Sequence, residues 1–253
     1  MGDGEHARAW EEWGALDPLW ANLTEPGTQH GAWDLNDFWR LGREEIATVM
    51  AIAERVGRPA QRREALDFGC GAGRLTRALC AHFDRTTGVD VAHSMVELAR
   101  DLNGGLPCRF LWSGDGSLAQ LPERSVDLVY SSLVLQHLSD VSAVRAAIAD
   151  LARLVRSSGL LSFQLPTSVP PATMKDRIAM RTRVYAALRR MRLPGPVLYR
   201  WGLRPAMRMT AMPGHEVIRH LESIGFEVLE TTTQTFATGD VESATYFASP
   251  TTV

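Results

Sequence analysis

The sequence predicts an α/β fold with a doubly wound, seven-stranded, mostly parallel sheet. From Glu64 onward, short apolar runs typical of strands alternate with segments of helical periodicity. Strands separated by helices pair in parallel through right-handed crossovers, and ligands then bind beyond the carboxyl ends of the strands. The chain of 253 residues is long enough for one large domain with a cap.

The individual elements follow from this alternation. Strands are predicted over residues 64–68, 85–90, 107–112, 126–130, 158–165, 226–233 and 243–249. Helices are predicted over residues 73–83, 93–102, 140–156 and 216–223. Gly159 is expected to cap the helix over 140–156 at its carboxyl end. Another helix with an apolar stripe precedes the first strand, and either Asp34 or Asn36 can cap it.

Two segments lie outside the alternation and divide the chain. Residues 1–35 form a helical N-terminal extension that contains Trp10, Trp13, Trp20 and Trp33. These tryptophans either anchor the extension to the core or make it a lid over the cofactor and acceptor pocket. The core is then expected to cover residues 36–165, and the last helix and strands, residues 213–253, complete it.

The second such segment, residues 166–212, is expected to form a helical, basic cap insert. Between Met174 and Met209 the sequence has ten lysine or arginine residues and one acid, Asp176, with apolar residues interleaved. This pattern suits a solvated amphipathic face, or a cap that attracts an anionic or lipid-linked acceptor. At 47 residues the insert is too short for a core of its own, so its apolar residues should pack on the main domain, the tryptophans or a partner subunit.

The most specific motif is a glycine turn after the first strand. The predicted strand ends near the acidic residue Asp67, and glycines follow at alternate positions in the run Asp67-Phe68-Gly69-Cys70-Gly71-Ala72-Gly73. Glycine allows a tight turn and close approach of a ligand to the backbone, and amides at the start of the next helix face the same place. Arg74 replaces the last glycine of the G-x-G-x-x-G dinucleotide fingerprint, which argues against the alternative of an NAD-dependent oxidoreductase. Asp67 suits a cofactor that carries an ammonium group.

This turn resembles the first motif of the class I S-adenosyl-L-methionine (SAM)-dependent methyltransferases. Other motifs of that family follow in order: Asp90 ends the second strand, Asp115 lies after the third, and residues 125–138 resemble the fourth strand and its loop. The resemblance covers about residues 40–165 and, more weakly, residues 213–249. It implies a Rossmann-like methyltransferase fold with SAM as the cofactor.

The resemblance also implies a set of cofactor-binding residues at the strand ends. They are Asp67, Gly69, Gly71, Gly73, Asp90, Asp115, Ser131 and Leu133. Asp90 is expected to accept hydrogen bonds from the ribose hydroxyls, and Asp115 to bind the adenine amine. Ser131 and Leu133 should flank the methionine arm. Asp67 acts either through water or backbone amides or in a purely structural role.

His137 is the predicted catalytic residue. It follows the fourth strand, and an imidazole suits the deprotonation of a hydroxyl acceptor near neutral pH. Asp140 could orient this ring or could instead cap the following helix. A structural role for His137 is the alternative. No cluster of His, Asp and Glu has the spacing of metal ligands, so no metal site is expected.

The sequence therefore predicts a SAM-dependent methyltransferase of a small molecule. O-methylation of a hydroxyl in secondary or glycolipid metabolism is the leading hypothesis, and N-methylation of a small amine is its rival. A catalytically silent binding module on the same scaffold is a third hypothesis. The net charge of −2 gives no general attraction for nucleic acid. The sequence shows no secretory leader and no long apolar run, and its three cysteines lack metal spacing. These features favour a cytoplasmic location. A homodimer is left open.

Overall fold

The computed structural model describes residues 3–114, 117–168, 173–205, 207, 209–235 and 241–251. Its strands are β1 Glu64–Phe68, β2 Arg85–Asp90, β3 Cys108–Trp112, β4 Val126–Ser131, β5 Val155–Pro166, β6 Phe226–Thr235 and β7 Glu242–Pro250. Its helices are α1 Asp3–Leu16, α2 Pro18–Asn22, α3 Leu35–Arg55, α4 Arg74–Leu79, α5 His93–Leu102, α6 Val141–Leu154, α7 Thr173–Arg190, α8 Gly195–Arg200 and α9 Gly214–Ser223. A 3-10 turn covers Leu135–His137.

The strands form one seven-stranded sheet in the order β3-β2-β1-β4-β5-β7-β6. The first five strands are parallel, and β7 lies antiparallel between β5 and β6. The strand order reverses between β1 and β4, so a crevice is expected above the carboxyl ends of these two strands. The predicted doubly wound fold is therefore confirmed.

Several predicted boundaries differ from the structure, and one cap is wrong. Helix α4 ends at Leu79, four residues before the predicted end. Helix α6 ends at Leu154, and β5 begins at the next residue. Gly159 therefore lies inside β5 and does not cap the helix. A Cβ atom at Gly159 would lie 2.8 Å from the carbonyl oxygen of Asp127, so glycine is required by close packing between neighbouring strands.

Each face of the sheet is covered by helices that begin and pack as their sequences require. Helix α3 starts at Asp34, whose carboxylate accepts hydrogen bonds from the Asn36 and Asp37 amides. Helices α3 and α4 cover one face, where Ile46 and Leu128 are buried, and α6 and α9 cover the other. A buried side chain of this size contributes about 1.5–3 kcal/mol relative to its exposed form.

The N-terminal extension packs across the carboxyl edge of the sheet. Trp13 and Trp20 are buried in a cluster with Ala92 and Met95 at the start of α5. The carboxylate of Glu11 accepts hydrogen bonds from the Ser94 amide in the same turn, and an acid at a helix N-terminus is stabilising. The extension is therefore attached where β2 passes into α5.

The insert packs on the extension. Tyr199 of α8 belongs to the same tryptophan cluster, and its hydroxyl donates to the buried carboxylate of Asp17 over 2.8 Å. Arg189 at the end of α7 pairs with Glu12 of α1. The chain then returns to the sheet, where the Thr210 amide donates to the Gln136 carbonyl. No helix in the described part of the chain combines the length and apolarity needed to cross a membrane.

We expect Trp13 to be a main anchor of the extension. Trp13→Ala should lower the free energy of unfolding by about 3–5 kcal/mol, because it empties a fully buried position. Trp13→Phe should cost much less, because the indole N–H has no hydrogen-bond partner among the described residues. Urea unfolding measures both, with the exposed Trp201→Ala as the control. Equal effects of the Ala and Phe variants would contradict this account.

Candidate active site

The glycine turn after β1 is held in place by the end of β2. All of its glycines have positive φ, with values of 76° at Gly69, 52° at Gly71 and 85° at Gly73. The amides of Gly69 and Cys70 donate to the Val89 carbonyl over 2.8 and 3.0 Å. These bonds bring the turn next to the carboxyl end of β2, where Asp90 lies.

Asp90 fastens this turn to the start of α5. One carboxylate oxygen accepts from the Gly71 amide over 2.8 Å, and the other accepts from the Ala92 amide over 2.9 Å. Burial raises the pKa of Asp90 above its ordinary value, although the hydrogen bonds from the amides oppose this shift. Each oxygen retains acceptor capacity beyond its one amide, so this carboxylate suits the hydroxyls of a sugar.

The N-terminal extension reaches the glycine turn through Asn22, which the sequence analysis missed. A Cβ atom at Gly71 would lie 2.0 Å from Asn22 Nδ2, so the amide group rests directly on the turn. The Oδ1 atom of Asn22 is buried and has no hydrogen-bond partner among the described residues. A buried acceptor without a donor is destabilising, so a polar group on a bound ligand fits this position. No sequence motif surrounds Asn22, and only the fold of the extension brings it here.

Asp67 lies beneath the turn and acts on the protein itself. It is buried, and it accepts a 2.6 Å hydrogen bond from the Thr76 hydroxyl of α4. Burial raises the pKa of Asp67 to about 7, against the lowering effects of this hydrogen bond and of Arg74. The geometry thus gives Asp67 a structural contact, which was one of its two predicted roles.

The two predicted residues after β4 are held by hydrogen bonds to neighbouring strands. The buried Ser131 hydroxyl donates to the Phe68 carbonyl over 3.1 Å, so it joins the ends of β4 and β1. Leu133 has a φ of 62°, and its amide donates to Gln164 Oε1 over 2.9 Å. Gln164 of β5 is buried and holds this strained residue, a role with no signal in the sequence. The predicted adenine-binding Asp115 lies outside the described residues.

His137 lies in the 3-10 turn after β4 and is buried. Its ring packs edge-on against Trp10 of α1 at a centroid distance of 5.0 Å, and its Nε2 atom is 3.2 Å from Gln136 Nε2. Asp140 accepts from the Ala143 amide and so caps α6, as one of its two predicted roles requires. His137 therefore lies between the end of β4 and the N-terminal extension.

A cavity of about 500 Å³ opens beside these residues, between α3 and the β6–β7 pair. Ser132 and Leu133 line it where β4 ends, and Thr245 and Phe247 line it on β7. It is also lined by three acidic side chains, Glu25, Glu44 and Glu45. The cavity adjoins the position predicted to flank the methionine arm, so a second substrate can reach that position from it.

A polar network formed by Arg74, Glu45 and Tyr130 lines the cavity near the glycine turn. Arg74, itself buried, pairs with Glu45 over 2.9 Å, and the Tyr130 hydroxyl donates to the other Glu45 oxygen over 2.9 Å. Burial and the nearby Glu45 raise the pKa of Tyr130 well above its ordinary value, so it remains a donor. Arg74 Nε has no partner among the described residues. The sequence analysis used Arg74 only to exclude a dinucleotide site, although α3 supplies its partner.

The described residues contain no group of three His, Cys, Asp or Glu side chains that could hold a metal ion. The arrangement instead offers a positive-φ glycine turn, a carboxylate at the end of β2 and an adjoining cavity. This set can bind a nucleoside-containing cofactor at the turn and a second small molecule beside β4.

Comparisons with known proteins agree with this arrangement. Residues 66–163 match a family model described as a methyltransferase domain. A malonyl-[acyl-carrier protein] O-methyltransferase of Serratia marcescens is 35% identical over 98 residues, which are 39% of this chain and 36% of that protein. A trans-aconitate 2-methyltransferase of an Enterobacter species is 30% identical over 168 residues, covering 64% of this chain and 63% of that protein. The chain thus spans less than two thirds of each relative.

A solved structure shows the same fold. The magnesium protoporphyrin IX methyltransferase of Synechocystis, in a structure with bound SAH, superposes with a TM-score of 0.57. The superposition covers 88% of this chain and 91% of that one at 21% sequence identity. At this identity the likeness concerns the fold alone.

Burial of Asp67 predicts a pH-dependent stability. Because its pKa rises from 3.8 to about 7 on folding, the folded state holds the proton that the unfolded state has released between these values. Stability therefore falls as pH rises through this window. From pH 5 to pH 8, wild-type protein should lose roughly 2 kcal/mol relative to Asp67→Asn.

Urea unfolding at the two pH values measures this difference, and the exposed Asp101→Asn on α5 is the matched control. If the stabilities of wild type and Asp67→Asn change in parallel between pH 5 and pH 8, the buried carboxylate is not the group that titrates.

Proposed function

We propose that this protein is a class I SAM-dependent methyltransferase, and that it methylates a small-molecule acceptor with SAM as the methyl donor. Residues 66–163, which match a model described as a methyltransferase domain, support this proposal. The observation that carries the proposal is the cavity lined by Leu133 and by Arg74, the residue that follows the glycine turn. In this proposal the turn would hold the donor and the cavity would hold the acceptor, both near the reversal of strand order.

The residues of the turn fit the donor. Gly69, Gly71 and Gly73 would let its chain approach the backbone, and Asp90 would accept from the ribose hydroxyls. Asn22 would close over the turn from the extension, which supports a lid role for residues 1–35. SAM, when bound, supplies a methyl group on a sulfonium that is already activated for displacement. The protein's tasks are alignment of the acceptor and removal of its proton.

We propose O-methylation as the reaction, with a hydroxyl acceptor of secondary or glycolipid metabolism. The relative from Serratia marcescens is by name an O-methyltransferase. A hydroxyl must lose its proton as the new bond forms, and His137 on the turn after β4 would accept this proton. The contact between His137 and Trp10 supports a ring held in one orientation by the extension. A cytoplasmic location and a homodimer also stay predictions.

One observation favours a second candidate function, the N-methylation of a small amine. The three glutamates that line the cavity would attract an ammonium group. Glu45 is compensated by Arg74, and Glu44 pairs with Arg40 at the surface, whereas Glu25 lies on the exposed segment after α2. The bound ammonium group must first release a proton to water, and the neutral amine can then attack the methyl group without a base, so His137 would be structural.

The cofactor site is tested by binding. Asp90→Ala should weaken SAM binding by roughly 1.5–3 kcal/mol, because a charged hydrogen-bond acceptor is lost. Asn22→Ala should weaken it by about 1 kcal/mol. Calorimetry with SAM measures both, and Asp101→Ala, an exposed acid on the neighbouring α5, should have no effect. An unchanged dissociation constant for Asp90→Ala would move the ribose site elsewhere, and NAD binding alone would overturn the methyltransferase proposal.

The acceptor chemistry is tested by turnover of labelled SAM with panels of hydroxyl and amine compounds. If His137 is the base, His137→Ala should lower kcat/KM for the hydroxyl acceptor by about 100-fold or more and remove the acidic limb of the pH profile. His215→Ala, an exposed histidine on α9, is the matched control. Intact turnover at every pH would exclude His137 as the base.

The two candidate functions differ in their response to cavity charge. Glu44→Gln and Glu25→Gln should raise KM severalfold for an amine acceptor and leave a hydroxyl acceptor unaffected, because only the ammonium group needs the carboxylates. Glu54→Gln on α3 is the control, because Glu54 is exposed and does not line the cavity. If no amine in the panel is methylated, N-methylation is excluded as the function.

A further inference from the structure

Helix α7 has two apolar stripes, although only one of them is buried. The inner stripe includes Tyr185, which is 2% exposed. The outer stripe comprises Met180, Val184 and Ala187, at the spacing of one helix face. Met191 continues it in the turn after α7, where its amide donates to the Ala187 carbonyl. Met180 is 67% exposed, Val184 40% and Met191 71%. The outer stripe is therefore an exposed apolar surface that does not belong to the protein core.

Helix α8, which follows α7 in the insert, carries further exposed apolar residues. Val197 is 39% exposed, and Trp201, four residues on, is 65% exposed. Trp201 follows Arg200 and precedes Gly202, so it lies at the turn that ends α8. A large aromatic side chain is rarely left in water when it could be buried. We call the residues Met180, Val184, Met191, Val197 and Trp201 the outer apolar face.

The charge around the outer apolar face has one sign. Residues 180–205 include seven arginines and no acidic residue. Two of these arginines serve the interior, since Arg189 pairs with Glu12 and Arg204 lies over the Trp20 ring at 5.8 Å. Helical geometry places Arg183 and Arg190 beside the outer stripe of α7, and both are exposed. The surface therefore combines exposed apolar side chains with exposed arginines, Arg183 and Arg190, that form no ion pair with another described residue.

We propose that the outer apolar face binds an anionic lipid surface. An exposed apolar stripe flanked by arginines can lie in the plane of a bilayer interface. Tryptophan prefers the headgroup level, and each nearby arginine adds attraction to anionic lipids. The proposal goes beyond methyl transfer and does not depend on it. The insert returns to the turn after β4 through Thr210, so docking would occur next to the site for the acceptor.

The test uses the full chain and sedimentation with lipid vesicles. The protein should bind vesicles of phosphatidylcholine mixed with phosphatidylglycerol, should bind pure phosphatidylcholine far less, and should dissociate in high salt. Arg190→Gln should weaken the binding about fivefold, the contribution of one arginine near such a surface. Met191→Ser should weaken it as well, because the apolar contact is lost.

Matched controls come from α9, where Ile218 and Arg219 are adjacent and exposed. Ile218→Ser and Arg219→Gln should leave vesicle binding unchanged, and thermal melts check that every variant is folded. Failure to bind either vesicle, equal binding to both, or equal losses in the controls would overturn the proposal.

Two further outcomes would also overturn it. In the first, soluble polyglutamate displaces the protein from the vesicles, and Met191→Ser leaves vesicle binding unchanged. These two results together would indicate an acidic protein as the partner. The second is a dimer in light scattering that Met191→Ser dissociates, which would indicate a second copy of this chain.

Discussion

The carboxylate of Asp90 is the contact on which the rest of the site depends. It accepts from Gly71 in the turn after β1 and from Ala92 at the start of α5, so one side chain joins two strand-to-helix connections. Each of these connections leads into the first turn of a helix at the same edge of the sheet, where the amides have no partner within the helix. A glycine turn with positive φ needs such support, because its backbone is otherwise the least restricted part of the chain.

Contacts between residues that are far apart in the sequence attach the N-terminal extension and the insert to this part of the site. Glu11 caps the same end of α5, which attaches the N-terminal extension there. Trp13 and Trp20 then bury the extension, and Asp17 accepts from Tyr199 of the insert. The extension therefore lies between the core and the insert. Because the insert has too few residues for a core of its own, its order depends on the tryptophans that precede the core.

The buried charges of the site illustrate why polar groups in the interior need partners. Arg74 would be costly to bury alone, and Glu45 of α3 compensates it while also accepting from Tyr130. Burial raises the pKa of Asp67 because the hydrogen bonds from Thr76 and the charge of Arg74 compensate its carboxylate only in part. The cavity beside this network is acidic, whereas the insert surface is basic. The two surfaces thus suit ligands of opposite charge.

The fold and the position of the cofactor turn could be predicted from the sequence, because both depend on local patterns. Alternating apolar periods specify strands and helices, and the run of three glycines after a strand specifies the turn. The structure confirms the predicted sheet and a turn of positive-φ glycines, and residues 66–163 match a model described as a methyltransferase domain. The Gly159 cap was wrong because a glycine required by contact between strands looks the same in sequence as a glycine required by φ. Only the tertiary structure brought Asn22, Glu45 and Gln164 to the site and showed which tryptophans are buried. The reason is that these residues make their contacts with residues far away in the chain, and no local sequence pattern predicts such contacts.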